Sequence, residues 1–136
     1  MPVFDTTAII DLTRSVRNPR FRKVEQIFRD AVASGEPVCT TRLNVAEAWV
    51  GVERSRDPDN DAALLVDTLS TFIIIDFDEF AARRFGKIEA HLRQIGRPTG
   101  EIDTLVAAIC LVHKQSLVTG NAKHFADIPA LVVVEY

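Results

Sequence analysis

Short apolar runs alternate along the chain with longer stretches in which apolar and polar residues recur at helical spacing. The short runs are rich in β-branched residues and apolar throughout, and they cover residues 3–4, 38–40, 72–75, 117–119 and 131–134. Such runs are typical of strands that are buried on both faces of a parallel sheet. The pattern therefore predicts five strands of that kind.

The longer stretches predict helices. Apolar residues recur every three or four positions between residues 81 and 95, with Asp78 positioned to cap this helix and Gly96 to end it. Further helices are predicted over residues 7–14, 21–31, 43–56, 61–70 and 102–115. The alternation of strands and helices predicts a three-layer α/β/α sandwich on a mostly parallel sheet of about five strands, formed by a single domain over residues 1–136.

The composition narrows the chemistry of this domain. The 136 residues are 47% hydrophobic and 26% charged, and the net charge of −3 excludes a general polyanion binder. The first residues lack the features of a signal peptide and no apolar run approaches a membrane span, so we expect a cytoplasmic protein. Cys39 and Cys110 lack the spacing of a zinc site and are expected to be buried and inert.

Acidic and amide side chains follow several of the predicted strands. Asp5 ends the first strand, Glu47 lies in the helix after the second, and Asn121 follows the fourth. Asp103 falls in the first turn of another predicted helix, two residues after Glu101. Parallel α/β sheets bind ligands at the carboxyl ends of their strands, so these residues are the candidates for a functional site.

Each candidate also has a purely structural explanation, because an acid at a strand end or a helix start often caps a turn or helix. Glu47 is different, since it is flanked by apolar and small residues and its partly buried charge needs a cation or a hydrogen-bond donor nearby. Together Asp5, Glu47 and Asp103 would form an oxygen-rich cluster suited to Mg²⁺ or Mn²⁺. Metal ions in such clusters support the hydrolysis of phosphate esters.

Two clusters of basic residues could offset the negative net charge where a nucleic acid binds. The first lies between Leu12 and Val24, contains no acid, and comprises Arg14, Arg17, Arg20, Arg22 and Lys23. Because it comes soon after Asp5, it is the candidate nucleic-acid contact. The second cluster, between residues 83 and 97, is more typical of a solvated helix face.

Four segments in order resemble one family. They are residues 4–7 (FDTT), Glu47 after the second strand, residues 96–108 (GRPTGEIDTLVAA) and residues 117–125 (LVTGNAKHF). With this order and spacing, essentially the whole chain is similar to the PIN-domain ribonucleases, and specifically to the VapC-type toxins of bacterial toxin–antitoxin pairs.

The resemblance implies a metal-dependent endoribonuclease that leaves 5′-phosphate and 3′-hydroxyl ends. Asp5, Glu47 and Asp103 match the family's first three acids, and Asn121 falls where the family carries Asp or Asn. The resemblance further implies Mg²⁺, or Mn²⁺, as cofactor, Glu101 as an additional metal ligand, and Thr7 and Thr119 as supporting polar residues. It also implies an RNA substrate, a VapB-like antitoxin partner and a homodimer.

Other functions remain as alternatives. An aspartate-based phosphatase or a phosphate-receiving domain would need a second acid beside Asp5, which the sequence lacks. A catalytically weak or inactive PIN-fold binding module is the stronger alternative, because the neutral Asn121 is a poorer metal ligand than a carboxylate. The presence of all three acids argues against it. His91, His113 and His124 are expected to be structural, and Trp49 to be a core residue or part of an antitoxin groove.

Overall fold

The computed structural model describes residues 1–136 and contains one five-stranded sheet with the strand order β3-β2-β1-β4-β5. All neighbouring strands are parallel. The strands are β1 (Val3–Phe4), β2 (Cys39–Thr41), β3 (Ile73–Ile75), β4 (Leu117–Thr119) and β5 (Val133–Glu135). The predicted α/β fold class with five parallel strands is confirmed, and each strand lies within two residues of its predicted bounds.

Six α-helices and one 3₁₀-helix connect the strands. The α-helices are α1 (Thr6–Leu12), α2 (Pro19–Ala33), α3 (Arg42–Glu53), α4 (Pro58–Leu69), α5 (Glu79–Gln94) and α6 (Glu101–Val112), and the 3₁₀-helix covers Ala122–Phe125. Asp78 caps α5 by accepting the N–H of Ala81, as predicted, and Gly96 follows with a left-handed φ of 67°. Helix α4 begins at Pro58, earlier than predicted, because Asp57 caps it and proline suits the first turn.

The sheet separates two apolar cores. Val3 and Leu117 face a core with α5 and α6, whereas Phe4 and Val118 face a core with α1, α2, α3 and α4. Strands β1, β2 and β4 are fully buried, as predicted. For β3 and β5 that prediction is wrong, because they are the edge strands and the Ile73 side chain is 52% exposed.

The centre of the sheet positions the candidate site. Strands β1 and β4 are neighbours, and the N–H of Asp5 donates to the carbonyl of Val118 at 3.0 Å. The carboxyl end of β1 therefore lies beside that of β4, and helix α1 begins directly after Asp5. Cys39 and Cys110 are buried and unpaired, and burial raises the pKa of the Cys110 thiol to about 12. None of the helices is long and apolar enough to cross a membrane.

Candidate active site

Asp5 is buried at the carboxyl end of β1, with 5% of the residue exposed, and its side chain caps α1. One carboxylate oxygen, Oδ1, accepts the Thr7 hydroxyl at 2.7 Å and the Ala8 N–H at 3.0 Å. The other, Oδ2, accepts a short hydrogen bond from the Thr119 hydroxyl. All of these donors are neutral, and burial raises the pKa of Asp5 despite them. A buried carboxylate is thus held in place without a compensating positive charge.

Asp103 lies in the first turn of α6 and is partly buried. Burial raises its pKa, the charge of Asp5 adds to the rise, and the neighbouring His124 opposes it. The two aspartates are therefore close enough to interact electrostatically, although 98 positions separate them in the sequence (103 − 5). The charge of Asp5 thus reaches Asp103 at the edge of the sheet, and these two residues are the centre of the candidate site.

His124, expected to be only structural, connects two of the candidate residues. Its Nδ1 lies 3.1 Å from Asp103 Oδ2, and its Nε2 lies 2.9 Å from the side-chain nitrogen of Asn121. Both contacts are satisfied when Nδ1–H donates to the carboxylate and Nε2 accepts from the amide. The amide oxygen of Asn121 is then left without a partner inside the chain and is available to a ligand.

Glu47 is partly buried on α3, as predicted, and its partner is a hydroxyl group rather than a cation. The Thr6 hydroxyl donates a short hydrogen bond to Glu47 Oε2 and accepts one from the Asn44 amide at 3.0 Å. Asn44 is itself buried and accepts the Thr41 hydroxyl at 2.7 Å. Thr6 is the site residue that sequence reasoning missed here, although it is adjacent to Asp5. Its role depends on the packing of α1 against α3, which no local pattern reveals.

The two predicted supporting threonines both bind the same aspartate. Thr7 and Thr119 each donate to Asp5, and their hydroxyl oxygens are 3.5 Å apart. Thr7 also accepts the N–H of Gly120 at 2.9 Å, which joins α1 to the turn after β4. Together these bonds hold the carboxyl ends of the two central strands in one arrangement.

The predicted metal ligands do not form a single group. No three His, Cys, Asp or Glu side chains meet at distances that would hold an ion. Glu101 is exposed and forms neither an ion pair nor a side-chain hydrogen bond, and Glu47 is bound to Thr6. Of the four predicted metal ligands, Asp5 and Asp103 are the two whose charges interact in this structure.

The chemistry of this pair nevertheless fits a hard divalent cation. Both carboxylates are desolvated, and neither contacts a lysine or an arginine. In proteins Mg²⁺ commonly takes only one or two carboxylates and completes its coordination with water and substrate phosphate oxygens. Two aspartates with an unpartnered amide oxygen nearby are thus a sufficient protein contribution for this ion.

The basic segment after α1 is less positive than its sequence indicates. Arg14 and Arg20 each place Nε 2.8 Å from a carboxylate oxygen of Asp11, which lies just before the segment and is 2% exposed. The absence of acids between residues 12 and 24 therefore overstated the charge available to a ligand. Three cations of the segment form no ion pair: Arg17, Arg22 and Lys23. Arg22 and Lys23 line an open groove of about 570 Å³.

Asp76 and Asp78 have the Asp-x-Asp spacing of an aspartate-based phosphatase, but they follow the third strand and have structural partners. Asp76 pairs with Arg42 at 2.9 Å, and Asp78 caps α5. Neither lies with Asp5, so the structure contains no aspartate pair of the phosphatase or receiver type at the first strand. The buried aspartates of the central strands and α6 remain the reactive feature.

Residues 3–131 match the family model of the PIN domain, and the chain belongs to this family. Among curated proteins, it is similar to the ribonuclease VapC2 of Haemophilus influenzae, with 34% identity over 94 residues, 69% of this chain and 71% of the relative. The tRNA(fMet)-specific endonuclease VapC of Shigella flexneri is 29% identical over the same shares of the two chains. The resemblance seen in the sequence is confirmed.

Solved structures confirm the fold. The crystal structure of VapBC2 from Rickettsia felis bound to a DNA fragment from their promoter matches with a TM-score of 0.85 and 24% identity, covering 99% of this chain and 98% of that one. FitAcB from Neisseria gonorrhoeae matches with a TM-score of 0.82 and 21% identity, covering 99% and 97%. Both carry the same three-layer arrangement around a parallel sheet.

Proposed function

We propose that this protein is a ribonuclease of the VapC type that hydrolyses phosphodiester bonds in RNA and acts as the toxin of a toxin–antitoxin pair. Membership of the PIN family and relatives named as ribonucleases support the reaction class. The observation that carries the proposal is the pair of desolvated aspartates, Asp5 and Asp103, which contact no lysine or arginine at the carboxyl edge of the central strands. An inactive binding module would have no need of two desolvated carboxylates at one point.

Asp5 and Asp103 would hold Mg²⁺ or Mn²⁺, with Glu47, Glu101 or the Asn121 amide oxygen adding contacts directly or through water. Bound there, the ion would lower the pKa of water and offset the negative charge that develops on the phosphate. Thr7 and Thr119 fix the orientation of Asp5 through their hydroxyl groups. In this proposal the chain supplies rigidly held oxygen ligands for a metal ion and no basic side chain to accept the proton of water.

Glu47 and His124 have positioning roles in this proposal. Glu47 Oε2 is held by Thr6, whereas Oε1 has no partner in the chain and is free to accept a hydrogen bond from the attacking water. His124 donates to Asp103 and accepts from Asn121, so it orients a carboxylate and an amide at once. Neither residue needs to leave its partner for the reaction to proceed.

The partners are also part of the proposal. RNA would lie along Arg17, Arg20, Arg22 and Lys23, on the side of the acids where α2 begins. A VapB-like antitoxin is proposed as the protein partner because structural neighbours include toxin–antitoxin complexes. A homodimer and a cytoplasmic location are proposed from the same family relationship.

Cleavage of RNA by the purified chain tests the proposal. Total transfer RNA is the first substrate, because a relative is named for tRNA(fMet), followed by total cellular RNA. We expect discrete fragments with 5′-phosphate ends in Mg²⁺ or Mn²⁺ and none in EDTA. Asp103→Asn should lower the rate by at least about 100-fold.

Asp127→Asn is the matched control, because Asp127 pairs with Arg97 and has no contact with the acids. It should cleave at the wild-type rate. Equal cleavage by Asp103→Asn and wild type would contradict the proposed site. Absence of cleavage in every RNA pool, with both metals present, would instead support the inactive binding module.

A further inference from the structure

Asp11 organises a second set of charged and aromatic side chains beside the aspartate pair. It is the last buried residue of α1, and it binds Arg14 through Oδ1 and Arg20 through Oδ2. Oδ2 also accepts the Tyr136 hydroxyl at 2.7 Å. The buried carboxylate is therefore fully partnered, and it holds two guanidinium groups on opposite oxygens.

Arg20 is fixed on two further sides. Its guanidinium carbon lies 5.6 Å from the centre of the Tyr136 ring, at the distance of a cation–π contact. Its Nη2 lies against the α-carbon of Gly120, so closely that a side chain there would overlap with it. Gly120 is the residue between Thr119, which binds Asp5, and Asn121. The guanidinium thus borders the turn that carries two candidate site residues.

Arg14 forms the same kind of ion pair with Asp11 but lies elsewhere on the surface. Its Nε–Asp11 distance of 2.8 Å and side-chain exposure of 47% equal those of Arg20. It lines a groove of about 330 Å³ between α1, α3 and α4, with Ile10, Gly51 and Leu65 as neighbours. Only one of the two arginines on Asp11 therefore faces the aspartate pair.

We propose that Arg20 binds a phosphate of the RNA substrate next to the bond that is cleaved, held for that purpose by Asp11 and Tyr136. This inference rests on the proposed ribonuclease function and names one substrate-binding residue for it. Arg17, Arg22 and Lys23 form no ion pair, and Arg14, although bound to Asp11, lacks the contacts with Tyr136 and Gly120. Arg20 is therefore the one cation of that segment fixed at the site before substrate arrives.

The arrangement suits a phosphate for geometric reasons. Asp11 uses Nε of Arg20 only, so the two terminal nitrogens keep donors for a second anion. The two guanidinium groups and the one carboxylate of Asp11 leave this cluster with a net positive charge, beside two aspartates that contact no lysine or arginine. Since the side chain is already immobilised, binding a phosphate would cost little additional side-chain entropy.

The hydroxyl group of Tyr136 strengthens this anchoring. Burial raises the pKa of Tyr136, and its hydrogen bond to Asp11 and the charges of Asp11 and Asp5 add to the rise. The phenol therefore stays protonated and remains a donor. The contribution of Asp5 also places Tyr136 within electrostatic reach of that aspartate.

The test measures binding of the full chain to a fluorescent single-stranded RNA by anisotropy, in EDTA so that no cleavage interferes, across a range of salt concentrations. We expect Arg20→Ala to weaken binding about tenfold, as for loss of a charged hydrogen bond. The slope of log K against log salt should also fall by about 0.7, the value for one phosphate contact on a single strand. Arg20→Lys keeps the charge and should keep the slope while weakening binding.

Arg14→Ala is the matched control, because it removes an ion pair of the same length from the same aspartate. Thermal unfolding shows whether Arg14→Ala and Arg20→Ala remain folded, and only Arg20→Ala should change the salt slope. An unchanged slope in Arg20→Ala, or an equal change in both variants, overturns the inference and leaves the ribonuclease proposal standing on its cleavage test. A wild-type chain that neither binds nor cleaves RNA contradicts the proposed function and the inference together.

Discussion

Two buried aspartates at the two ends of α1 have opposite surroundings. Asp11, which is 2% exposed, is bound by two arginines and a tyrosine hydroxyl. Asp5, which is 5% exposed, is bound by two threonine hydroxyls and one backbone N–H, with no cation in contact. The same residue type, at similar burial on one helix, is electrically compensated at one end and not at the other.

The difference separates a structural charge from a functional one. Burying a carboxylate is costly unless a positive charge or several donors replace its water. At Asp11 the chain supplies that compensation itself, so the residue stabilises the junction of α1, α2 and β5. At Asp5 the chain supplies orientation only, and the missing positive charge is what a bound metal ion would provide. Burial alone is therefore a poor guide to function, whereas burial without a cation is a specific one.

The largest expected effect comes from neutralising each aspartate in turn. Asp11→Asn should lower the free energy of unfolding by about 3 kcal/mol, because it leaves two arginines without their buried partner. Asp5→Asn, the matched change at the other end of the helix, should cause no loss in the metal-free protein. Urea unfolding at neutral pH measures both. Equal losses of unfolding free energy in the two variants would show that Asp5 and Asp11 do not differ in how their charges are compensated.

A smaller effect is expected from adding metal. At about 100 times its dissociation constant, Mn²⁺ should stabilise the wild-type chain by about 2.7 kcal/mol, since it binds only the folded state. Asp5→Asn should lose this stabilisation and Asp11→Asn should retain it. Thermal unfolding with and without Mn²⁺ gives the answer. A wild-type melting temperature that does not change when Mn²⁺ is added would indicate that the buried charge of Asp5 is compensated in some other way.

Removing the histidine that orients Asp103 should have a weaker effect again. His124→Ala should reduce Mn²⁺ affinity about tenfold, equivalent to about 1.4 kcal/mol, as is usual when a residue that supports a metal ligand is lost. Calorimetry measures the affinity directly. The control is His113→Ala, at the exposed carboxyl end of α6, the helix that carries Asp103. This variant should bind Mn²⁺ as the wild type does. Equal affinities of His124→Ala and wild type would show that Asp103 needs no orienting partner.

The smallest effect is a dependence of stability on pH. Because the pKa of Asp5 is raised in the folded, metal-free chain, the folded state binds its proton at higher pH than the unfolded state does. Stability therefore decreases as pH rises through that raised pKa. Asp5→Asn should be more stable than wild type at neutral pH, and the advantage should disappear below the ordinary aspartate pKa of 3.8. An advantage that is constant with pH would show that ionisation of Asp5 is not its source.

The sequence was sufficient for features that depend on neighbouring residues. The apolar runs predicted the five strands, and Asp78 and Gly96 correctly marked the two ends of α5. The position of Asp5 at the end of β1 followed from the first of these runs. The order of the strands could not be predicted from the hydrophobic pattern, because β3 and β5 are as apolar as the central strands. Only the folded sheet shows that they are its edges.

Side-chain partners between distant elements could not be predicted in the same way. Thr6 meets Glu47 across 41 positions, and Tyr136 meets Asp11 across 125. These contacts depend on how α1 packs against α3 and β5, to within an ångström or two. Because the proposed reaction needs no histidine as a base, the sequence predicts a structural or surface role for His124. Its partners, Asp103 and Asn121, come from two different elements that only the folded chain brings together.

The pairing of β1 with β4 has a consequence for the timing of synthesis. Val3 pairs with Leu117, and Asp5 receives the Thr119 hydroxyl across 114 positions of the chain. A ribosome must therefore release most of the polypeptide before the middle of the sheet can close, because such distant contacts form late and at a high loop-closure cost. The partly made chain cannot assemble its aspartate pair. A chain built in this way cannot form its candidate active site until synthesis is nearly complete.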